Sequence, residues 1–196
     1  MSNNGNLGTV AFIGIGLIGG SLALALRRTQ AAERIIALDN DARALAAAHN
    51  LGVIDVPAQW ADLAAADVIV LATPVDALFA VCEQLAALPL KETVVMTDVG
   101  STKASVLSAV EQAFGTVPPF FVPAHPIAGR EKSGVAAASG DLLLRRKVIL
   151  TTLAQTDNRA LGVVSRLWHS AGALISQMSV AEHDAILGAT SHLPHV

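Results

Sequence analysis

Near its amino end the chain reads Val10-Ala-Phe-Ile-Gly14-Ile-Gly16-Leu-Ile-Gly19-Gly20, an apolar run that leads into a G-x-G-x-x-G motif. The apolar residues 9–13 predict a buried strand, and the pattern over 18–28 predicts a helix immediately after it. A strand, a glycine-rich turn and a helix in this order are typical of the first unit of an α/β fold.

The rest of the chain repeats this alternation of short β-branched runs with longer Ala- and Leu-rich helical patterns. Strands are predicted over 34–38, 67–72, 93–98, 147–151 and 173–177, and helices over 41–50, 76–88, 103–114, 157–170 and 179–189. This order predicts an α/β fold of the Rossmann type, doubly wound around a mostly parallel sheet. The segment 123–140, rich in Gly and charged residues, is predicted to be a loop that carries function.

Helix ends carry recognisable signals. Asp41 is a predicted N-cap, Gly115 a predicted helix stop, and Ser179 with Glu182 three residues later forms a predicted capping box. The last helix meets Pro194, and we expect it to continue in a further helical segment. We therefore predict a dinucleotide-binding domain over 1–178 and, over 179–196, the start of an all-helical second domain of which the rest is absent.

Composition excludes several classes of protein. The 196 residues are 53% hydrophobic, which argues against a disordered chain, and the net charge of −3 with no basic patch argues against nucleic-acid binding. The most apolar region, 68–81, is interrupted by Pro74 and Asp76, so no membrane span is expected. The single cysteine, Cys82, is expected to be a small buried side chain, and its isolation suits the cytoplasm.

The glycine motif predicts a bound dinucleotide. Gly14 permits a tight turn, Gly16 lets the backbone approach a pyrophosphate, and Gly19 lets the helix pack closely on the strand. The free N–H groups at the helix start, at Leu17 and Ile18, are expected to hold the anion.

An acidic residue, Asp39, ends the second predicted strand 20 residues after Gly19. It is expected to bind the adenosine ribose hydroxyls. Asn40 follows it and no basic residue occurs before Arg43, which favours NAD over NADP because a 2′-phosphate would face a carboxylate.

Polar residues also follow the next two strands, at the edge where such sheets bind ligands. Thr73 and Pro74 are expected to meet the cofactor, although Thr73 also suits a simple strand-terminating turn. Ser101 is either a helix N-cap or a hydroxyl that reaches the nicotinamide or a substrate oxygen.

A histidine stands in the predicted functional loop, which reads Ala124-His125-Pro126-Ile-Ala-Gly129-Arg130-Glu131-Lys132-Ser133-Gly134. A neutral histidine can accept the proton of an alcohol while hydride leaves. Arg130 and Lys132 can neutralise an acidic substrate. The simpler alternative is a solvent-exposed, idle histidine.

Metal binding is not expected. Six histidines occur, and His183, His192 and His195 lie late in the chain, but no carboxylate or cysteine accompanies them at a recurrent ligand spacing. His49 and His169 are predicted to be surface or packing residues.

Four segments in one order resemble the prephenate/arogenate (cyclohexadienyl) dehydrogenase family: the glycine motif, Gly100-Ser-Thr-Lys103, the segment His125 to Gly134, and Ser191-His-Leu-Pro-His195. The resemblance implies NAD-dependent oxidative decarboxylation of prephenate to 4-hydroxyphenylpyruvate, or of arogenate to tyrosine, in tyrosine biosynthesis.

The resemblance also implies roles for individual residues. His125 is the catalytic histidine that hydrogen-bonds the ring hydroxyl of the substrate, and Ser101 lies by the nicotinamide and that hydroxyl. Ser191 and His195 line the substrate pocket, and His183 lies close by. Arg130 stands where members often have a small residue, and is expected to bear on recognition of the substrate side chain.

Further partners follow from the family alone. Its helical domain forms a homodimer and supplies an arginine for a substrate carboxylate, and tyrosine is a feedback ligand.

Two alternatives remain at this point. A β-hydroxyacid dehydrogenase with a related Rossmann domain would rely on a catalytic lysine in a later helix, yet no lysine follows Lys147. A non-catalytic NAD-binding regulator would need no proton acceptor such as His125.

Overall fold

A computed structural model describes residues 5–129 and 133–191, with the backbone alone for 188–191. Its strands are β1 (Thr9–Ile13), β2 (Arg34–Leu38), β3 (Val56–Pro57), β4 (Val68–Leu71), β5 (Val95–Asp98), β6 (Phe121–Val122), β7 (Ala124–Pro126), β8 (Lys147–Leu150) and β9 (Leu174–Gln177). Its helices are α1 (Leu17–Arg28), α2 (Ala42–Asn50), α3 (Leu78–Ala86), α4 (Lys103–Phe114), α5 (Asn158–Ser170) and α6 (Val180–Ser191). No helix within these ranges is long and apolar enough to cross a membrane.

The main sheet has six parallel strands in the order β3-β2-β1-β4-β5-β6. The chain builds outward from β1 in one direction and then returns to add β4 on the other side. This reversal opens a crevice at the carboxyl ends of β1 and β4, where doubly wound sheets bind ligands. The predicted Rossmann-type α/β class is confirmed.

Alternation along the strands explains why helices cover both faces of this sheet. In β1, Val10 and Phe12 belong to one buried apolar cluster, while Ala11 and Ile13 belong to a second cluster. The first cluster includes Leu22 of α1 and residues of α5, and the second includes residues of α3 and α4. Because both faces are buried, the strands read as continuous apolar runs.

A second sheet has three strands in the order β7-β8-β9, with β7 antiparallel to β8 and β8 parallel to β9. The strands predicted over 147–151 and 173–177 are therefore present. The prediction of a loop throughout 123–140 is wrong at β7, where His125 pairs with Ile149. A three-residue strand that contains a proline has no readable period, and its pairing with β8 decides its conformation.

Other short elements also escaped the pattern. The two-residue strands β3 and β6 and a 3₁₀ helix over Trp60–Ala65 were not predicted. The helix predicted over 76–88 begins as a 3₁₀ turn at Val75–Ala77 before α3. Elements of this length are set by the register of neighbouring strands rather than by local periodicity.

The caps read from the sequence are present. Asp41 accepts a hydrogen bond from the Arg43 N–H, and Gly115 ends α4 with φ +78°. The Ser179 hydroxyl accepts from the Glu182 N–H at 3.2 Å, and the Glu182 carboxylate accepts from the Ser179 N–H at 2.9 Å.

Cys82 is fully buried in α3. Burial, reinforced by the charge of Asp98, raises the pKa of its thiol to about 12. The thiol therefore stays protonated at neutral pH and packs as a small apolar group, as its helical context predicts.

The turn after β1 depends on two glycines. Gly14 has φ +91°, and a Cβ added there would lie 2.5 Å from the Ala72 carbonyl oxygen. A Cβ at Gly19 would lie 2.6 Å from the Gly14 carbonyl oxygen. The close packing of β1, α1 and the end of β4 thus excludes side chains at both positions.

We expect Gly14→Ala to lower the free energy of unfolding by about 1–3 kcal/mol, because alanine is strained at this φ and collides with backbone. Gly162→Ala, in the middle of α5, is the matched control. Its added Cβ meets only the Arg166 guanidinium at 3.8 Å, so a gain of about 0.5–1 kcal/mol is expected there. Urea unfolding followed by circular dichroism measures both, and effects of the same sign would contradict this interpretation of the turn.

Candidate active site

A cleft of about 720 Å³ opens at the carboxyl ends of β1, β2 and β4. The cofactor-binding residues predicted from the sequence, apart from Gly19 and Ser101, line this cleft together: Gly14, Gly16, Leu17, Ile18, Asp39, Thr73 and Pro74. Gly19 is buried beneath the turn that forms the cleft wall.

Backbone hydrogen bonds fix the Asp39 carboxylate at one end of this cleft. Its Oδ2 accepts from the Ile15 N–H at 2.8 Å, and its Oδ1 accepts from the Asp41 N–H at 2.9 Å. Asp39 thus ties the glycine turn to the end of β2, and a negative charge sits where a dinucleotide presents its adenosine ribose.

Two observations indicate that the cleft can hold a dinucleotide. A Cβ at Gly16 would meet nothing within 4 Å, so the backbone there is open to a close approach. The Thr73 hydroxyl is buried yet has no hydrogen-bond partner in the described part of the protein, although Thr73 lines the cleft. A ligand that bonds this hydroxyl would remove the cost of leaving it unpaired.

A buried ion pair stands beside the cleft, at the end of β5. The Asp98 and Lys103 side chains are both completely buried, and the Lys103 Nζ donates to Asp98 Oδ2. Burial lowers the pKa of Lys103, and the adjoining Asp98 carboxylate opposes that shift.

The same pair holds the strand that carries the histidine. Lys103 Nζ donates to the Ala124 carbonyl oxygen at 2.6 Å, and Asp98 Oδ1 accepts from the Ala124 N–H at 3.0 Å. Both backbone groups of the residue before His125 are therefore fixed by one ion pair. In the sequence Lys103 stands out only as part of a motif and Asp98 carries no signal of its role, because their contact with β7 is not local.

His125 is half-buried in β7, and its Nδ1 lies 2.9 Å from Nε2 of the fully buried His183. Burial is the main reason that the pKa of His125 falls to about 4; the neighbouring Lys103 and His183 lower it further, and the charge of Asp184 opposes them. His125 is thus a neutral base near pH 7. The structure brings His125 and His183 together.

Asp184, on α6, completes this cluster. Its Oδ1 lies 2.6 Å from His183 Nδ1, and its carboxylate accepts from the N–H groups of Lys103 (3.0 Å) and Ala104 (2.8 Å) at the start of α4. Burial would raise the pKa of Asp184, but the hydrogen bonds from Ala104, His183 and Lys103 lower it overall. Asp184 follows a predicted site residue by one position, yet no sequence pattern marks a cap supplied from another helix.

Ser101 is exposed on the loop between β5 and α4. Its alternative interpretation as the helix N-cap is wrong, because the N-cap is Thr102, which makes no side-chain capping bond, and Asp184 caps α4 instead. No hydrogen bond joins Ser101 to His125 in the part of the chain that the structure describes.

Three further residues were predicted to belong to the site. Arg130 and His195 lie outside the described residues, and Ser191 is the last residue of α6, described by its backbone. Across 5–129 and 133–191, no group of three or more His, Cys, Asp or Glu residues is placed to hold a metal ion.

Comparison with known proteins identifies the family. Residues 22–177 match the family model described as prephenate dehydrogenase, nucleotide-binding domain. The chain belongs to the prephenate dehydrogenase family. This result confirms the family that the four motifs indicated.

Individual relatives agree with this assignment. Prephenate dehydrogenase of Bacillus subtilis (strain 168) is 37% identical over 190 residues, which cover 96% of this chain and 51% of that protein. A crystal structure of prephenate dehydrogenase from A. aeolicus, in complex with hydroxyphenyl propionate and NAD+, superimposes with a TM-score of 0.87 at 35% identity, over 95% of this chain and 65% of that one. Synechocystis arogenate dehydrogenase gives a TM-score of 0.84 at 27% identity, over 94% and 64% of the two chains. This chain therefore spans about half the length of the B. subtilis protein and less than two thirds of the other two.

We expect Lys103→Met to lower the free energy of unfolding by about 3–5 kcal/mol, because it leaves the Asp98 carboxylate buried without its cation. Lys91→Met is the control, since Lys91 pairs with Asp67 where both side chains are more than a third exposed, and a change below about 1 kcal/mol is expected there. Urea denaturation compares the two variants. Equal losses would show that the buried pair has no special role.

Between pH 6.5 and 4 we expect stability to fall as the pH is lowered. His125 has an ordinary pKa of 6.5 and a folded value of about 4, so in this window the unfolded chain binds more protons than the folded one. Among the residues that the structure describes, the groups that act on the charge of its ring are Lys103, His183 and Asp184. An NMR titration of the His125 imidazole checks this directly, and a midpoint near 6.5 would contradict it.

Proposed function

We propose that this chain is the cofactor-binding part of a dehydrogenase that oxidises prephenate, or its amino-acid counterpart arogenate, with NAD as the hydride acceptor. One observation carries the proposal. In a member of the prephenate dehydrogenase family, a buried ion pair fixes the backbone of Ala124 beside His125, a histidine that is neutral near pH 7, and a cleft of about 720 Å³ opens at the carboxyl ends of the parallel strands.

The cleft fits NAD. The backbone around Gly16 and the first turn of α1, at Leu17 and Ile18, would hold the pyrophosphate, Asp39 the adenosine ribose, and Thr73 the nicotinamide half. The fixed carboxylate of Asp39 supports NAD over NADP, since a 2′-phosphate would be repelled there. When bound, NAD supplies an acceptor for the hydride that leaves the ring carbon of the substrate.

His125 handles the proton of the substrate hydroxyl. As hydride leaves the carbinol carbon, the ring nitrogen Nε2 accepts the hydroxyl proton and the oxygen becomes a carbonyl. The carboxylate on the opposite ring carbon then leaves as carbon dioxide, and the electron pair of the broken bond makes the ring aromatic. His125 returns the proton to the oxygen, which ends as a phenol, so no proton is consumed overall.

The low pKa of His125 suits this task. A base with a pKa of about 4 is unprotonated throughout the neutral range. Because such a base is weak, the proton moves when hydride departure has made the hydroxyl more acidic, and aromatisation makes the sequence irreversible.

The remaining contacts of the substrate are proposals from the family. Ser101 is exposed at the same edge and would approach the reacting hydroxyl. His183 would hold the His125 ring in place through the contact between its Nε2 and His125 Nδ1. Ser191 and His195 would line the pocket, and Arg130 would meet the substrate side chain.

Assembly and regulation are proposed on the same basis. We propose that the protein forms a homodimer through a helical domain, which also supplies an arginine for a substrate carboxylate. We further propose that tyrosine is a feedback ligand and that the protein is cytoplasmic. The start of that domain at residue 179 is part of the proposal.

The decisive experiment follows NADH formation with prephenate and with arogenate, using NAD and NADP in turn. The protein assayed is the enzyme that includes the proposed helical domain. His125→Asn should lower turnover by about 10²–10⁴, the usual range for one acid–base group, with the Kd for NAD nearly unchanged. His169→Asn, an exposed change on α5, is the control. Absence of turnover with either substrate would reject the activity, and near-normal turnover of His125→Asn would remove His125 from the mechanism.

We expect the double change Asp39→Ser, Asn40→Arg to weaken NAD binding and strengthen NADP binding, because a cation replaces the carboxylate beside the ribose 2′ position. Isothermal titration calorimetry on the 196-residue chain measures both Kd values. Glu111→Ser, which removes an exposed carboxylate from α4, is the control for charge alone. An unchanged preference in the double variant would show that Asp39 does not select the cofactor.

A further inference from the structure

We propose that His183 and Asp184 are positioning residues that fix the proton of the His125 ring on Nδ1 and leave Nε2 bare towards the substrate. The inference rests on the proposed function, in which His125 accepts a proton. It goes further because it assigns control of the tautomeric state of His125 to two consecutive residues of α6. No helix cap and no sequence motif would connect those two residues with β7.

Asp184 fixes the position of the proton on the His183 ring. Its carboxylate already accepts two backbone N–H bonds at the start of α4, from Lys103 and Ala104. An ionised carboxylate has only acceptors, and these bonds lower the pKa of Asp184, so it is ionised at neutral pH. The nitrogen that faces it at 2.6 Å, Nδ1 of His183, must therefore be the donor.

The proton on the His183 ring in turn fixes the position of the proton on the His125 ring. A neutral imidazole carries one N–H, so a proton on Nδ1 of His183 leaves its Nε2 with a lone pair. That Nε2 lies 2.9 Å from Nδ1 of His125. His125 must then donate from Nδ1, and its own Nε2 is the acceptor.

The surroundings of His125 Nε2 decide which group this nitrogen can bind. Among the described residues it has no hydrogen-bond partner, and His125 is half-buried rather than closed off. The bare nitrogen is therefore the one available to a substrate hydroxyl. Once Nε2 has taken a proton, the Nδ1–H bond to His183 persists, so the ring keeps its orientation through the step.

A cationic His183 would give a different distribution of protons over the two rings. A cationic His183 would donate from Nε2, His125 would accept at Nδ1, and the single proton of His125 would lie on Nε2. That nitrogen could not accept a proton from the substrate. The positive start of α4 already compensates the charge of Asp184, which favours the neutral arrangement of His183.

The direct test is the tautomeric state of each ring by ¹⁵N NMR on the uniformly labelled 196-residue chain near pH 7, without substrate. His125→Asn and His183→Phe assign the two sets of signals. The proposal expects both rings to be neutral with the proton on Nδ1. A proton on Nε2 of His125, or a cationic His183, would overturn it.

A functional test follows from the same chain of bonds. In His183→Phe the acceptor for Nδ1–H is lost, so the His125 tautomer should become mixed. The kcat of the enzyme should then fall by at least tenfold, towards the roughly 10⁴-fold that a wrong histidine tautomer costs a serine protease. KM and the Kd for NAD should change less than about threefold, because neither ligand touches His183 directly in this arrangement.

A control variant and a second test variant separate this role from a structural one. His49→Phe changes an exposed histidine on α2 and should leave the tautomer of His125 and kcat unaltered. Asp184→Asn keeps the shape of the side chain but removes its charge, and should also lower kcat with a partly mixed tautomer. A folded His183→Phe protein with unchanged tautomer and kcat would overturn the proposal, and if that variant does not fold, the wild-type spectrum still decides it.

The outcomes are distinguishable from failure of the proposed function. The spectra require no substrate and no turnover. A wild-type enzyme that oxidises neither prephenate nor arogenate would reject the activity, whereas the ring tautomers would be confirmed or contradicted independently of it.

Discussion

The ion pair between Asp98 and Lys103 is removed from water, and the geometry of the site depends on it. Two buried charges are costly unless each is paired and hydrogen-bonded. Here the carboxylate also accepts from the N–H groups of Gly100 and Ala124, and the ammonium also donates to the Ala124 carbonyl. The pair thereby joins the main sheet, the start of α4 and β7. It fixes the backbone next to His125, and its ammonium helps to keep that ring neutral.

Much of the fold can be predicted from the sequence because its signals are local. The strand and glycine turn at Gly14, the cap at Asp41 and the capping box at Ser179 each depend on residues within a few positions of one another. His125 stood out for a similar reason, since Pro126 and Gly129 surround it in a segment typical of the family. The two-residue strands and β7 escaped prediction because their conformation comes from pairing with distant strands rather than from a repeat along the chain.

The candidate site was predicted less completely, for the same physical reason. Asp39 and the glycine turn follow from their place after strands, but the partners of His125 come from two elements that are distant in sequence. Lys103 is on α4, and His183 and Asp184 are on α6. The sequence marks His183 only through the family resemblance, and Asp184 has no local signal at all. Ser101 illustrates the converse, since its position also suited a helix cap, which Asp184 supplies from elsewhere.

The capping of α4 by Asp184 has a consequence for how the molecule folds. A helix usually finds its cap within its own first residues, so that its start can form early. Here the donor Lys103 and its acceptor Asp184 are separated by 81 positions. Loops of this length close late, because their entropy must be lost before the contact contributes. During synthesis the parallel sheet can therefore assemble while the first turn of α4 is still uncapped, and the edge that carries His125 is completed only when α6 emerges and docks.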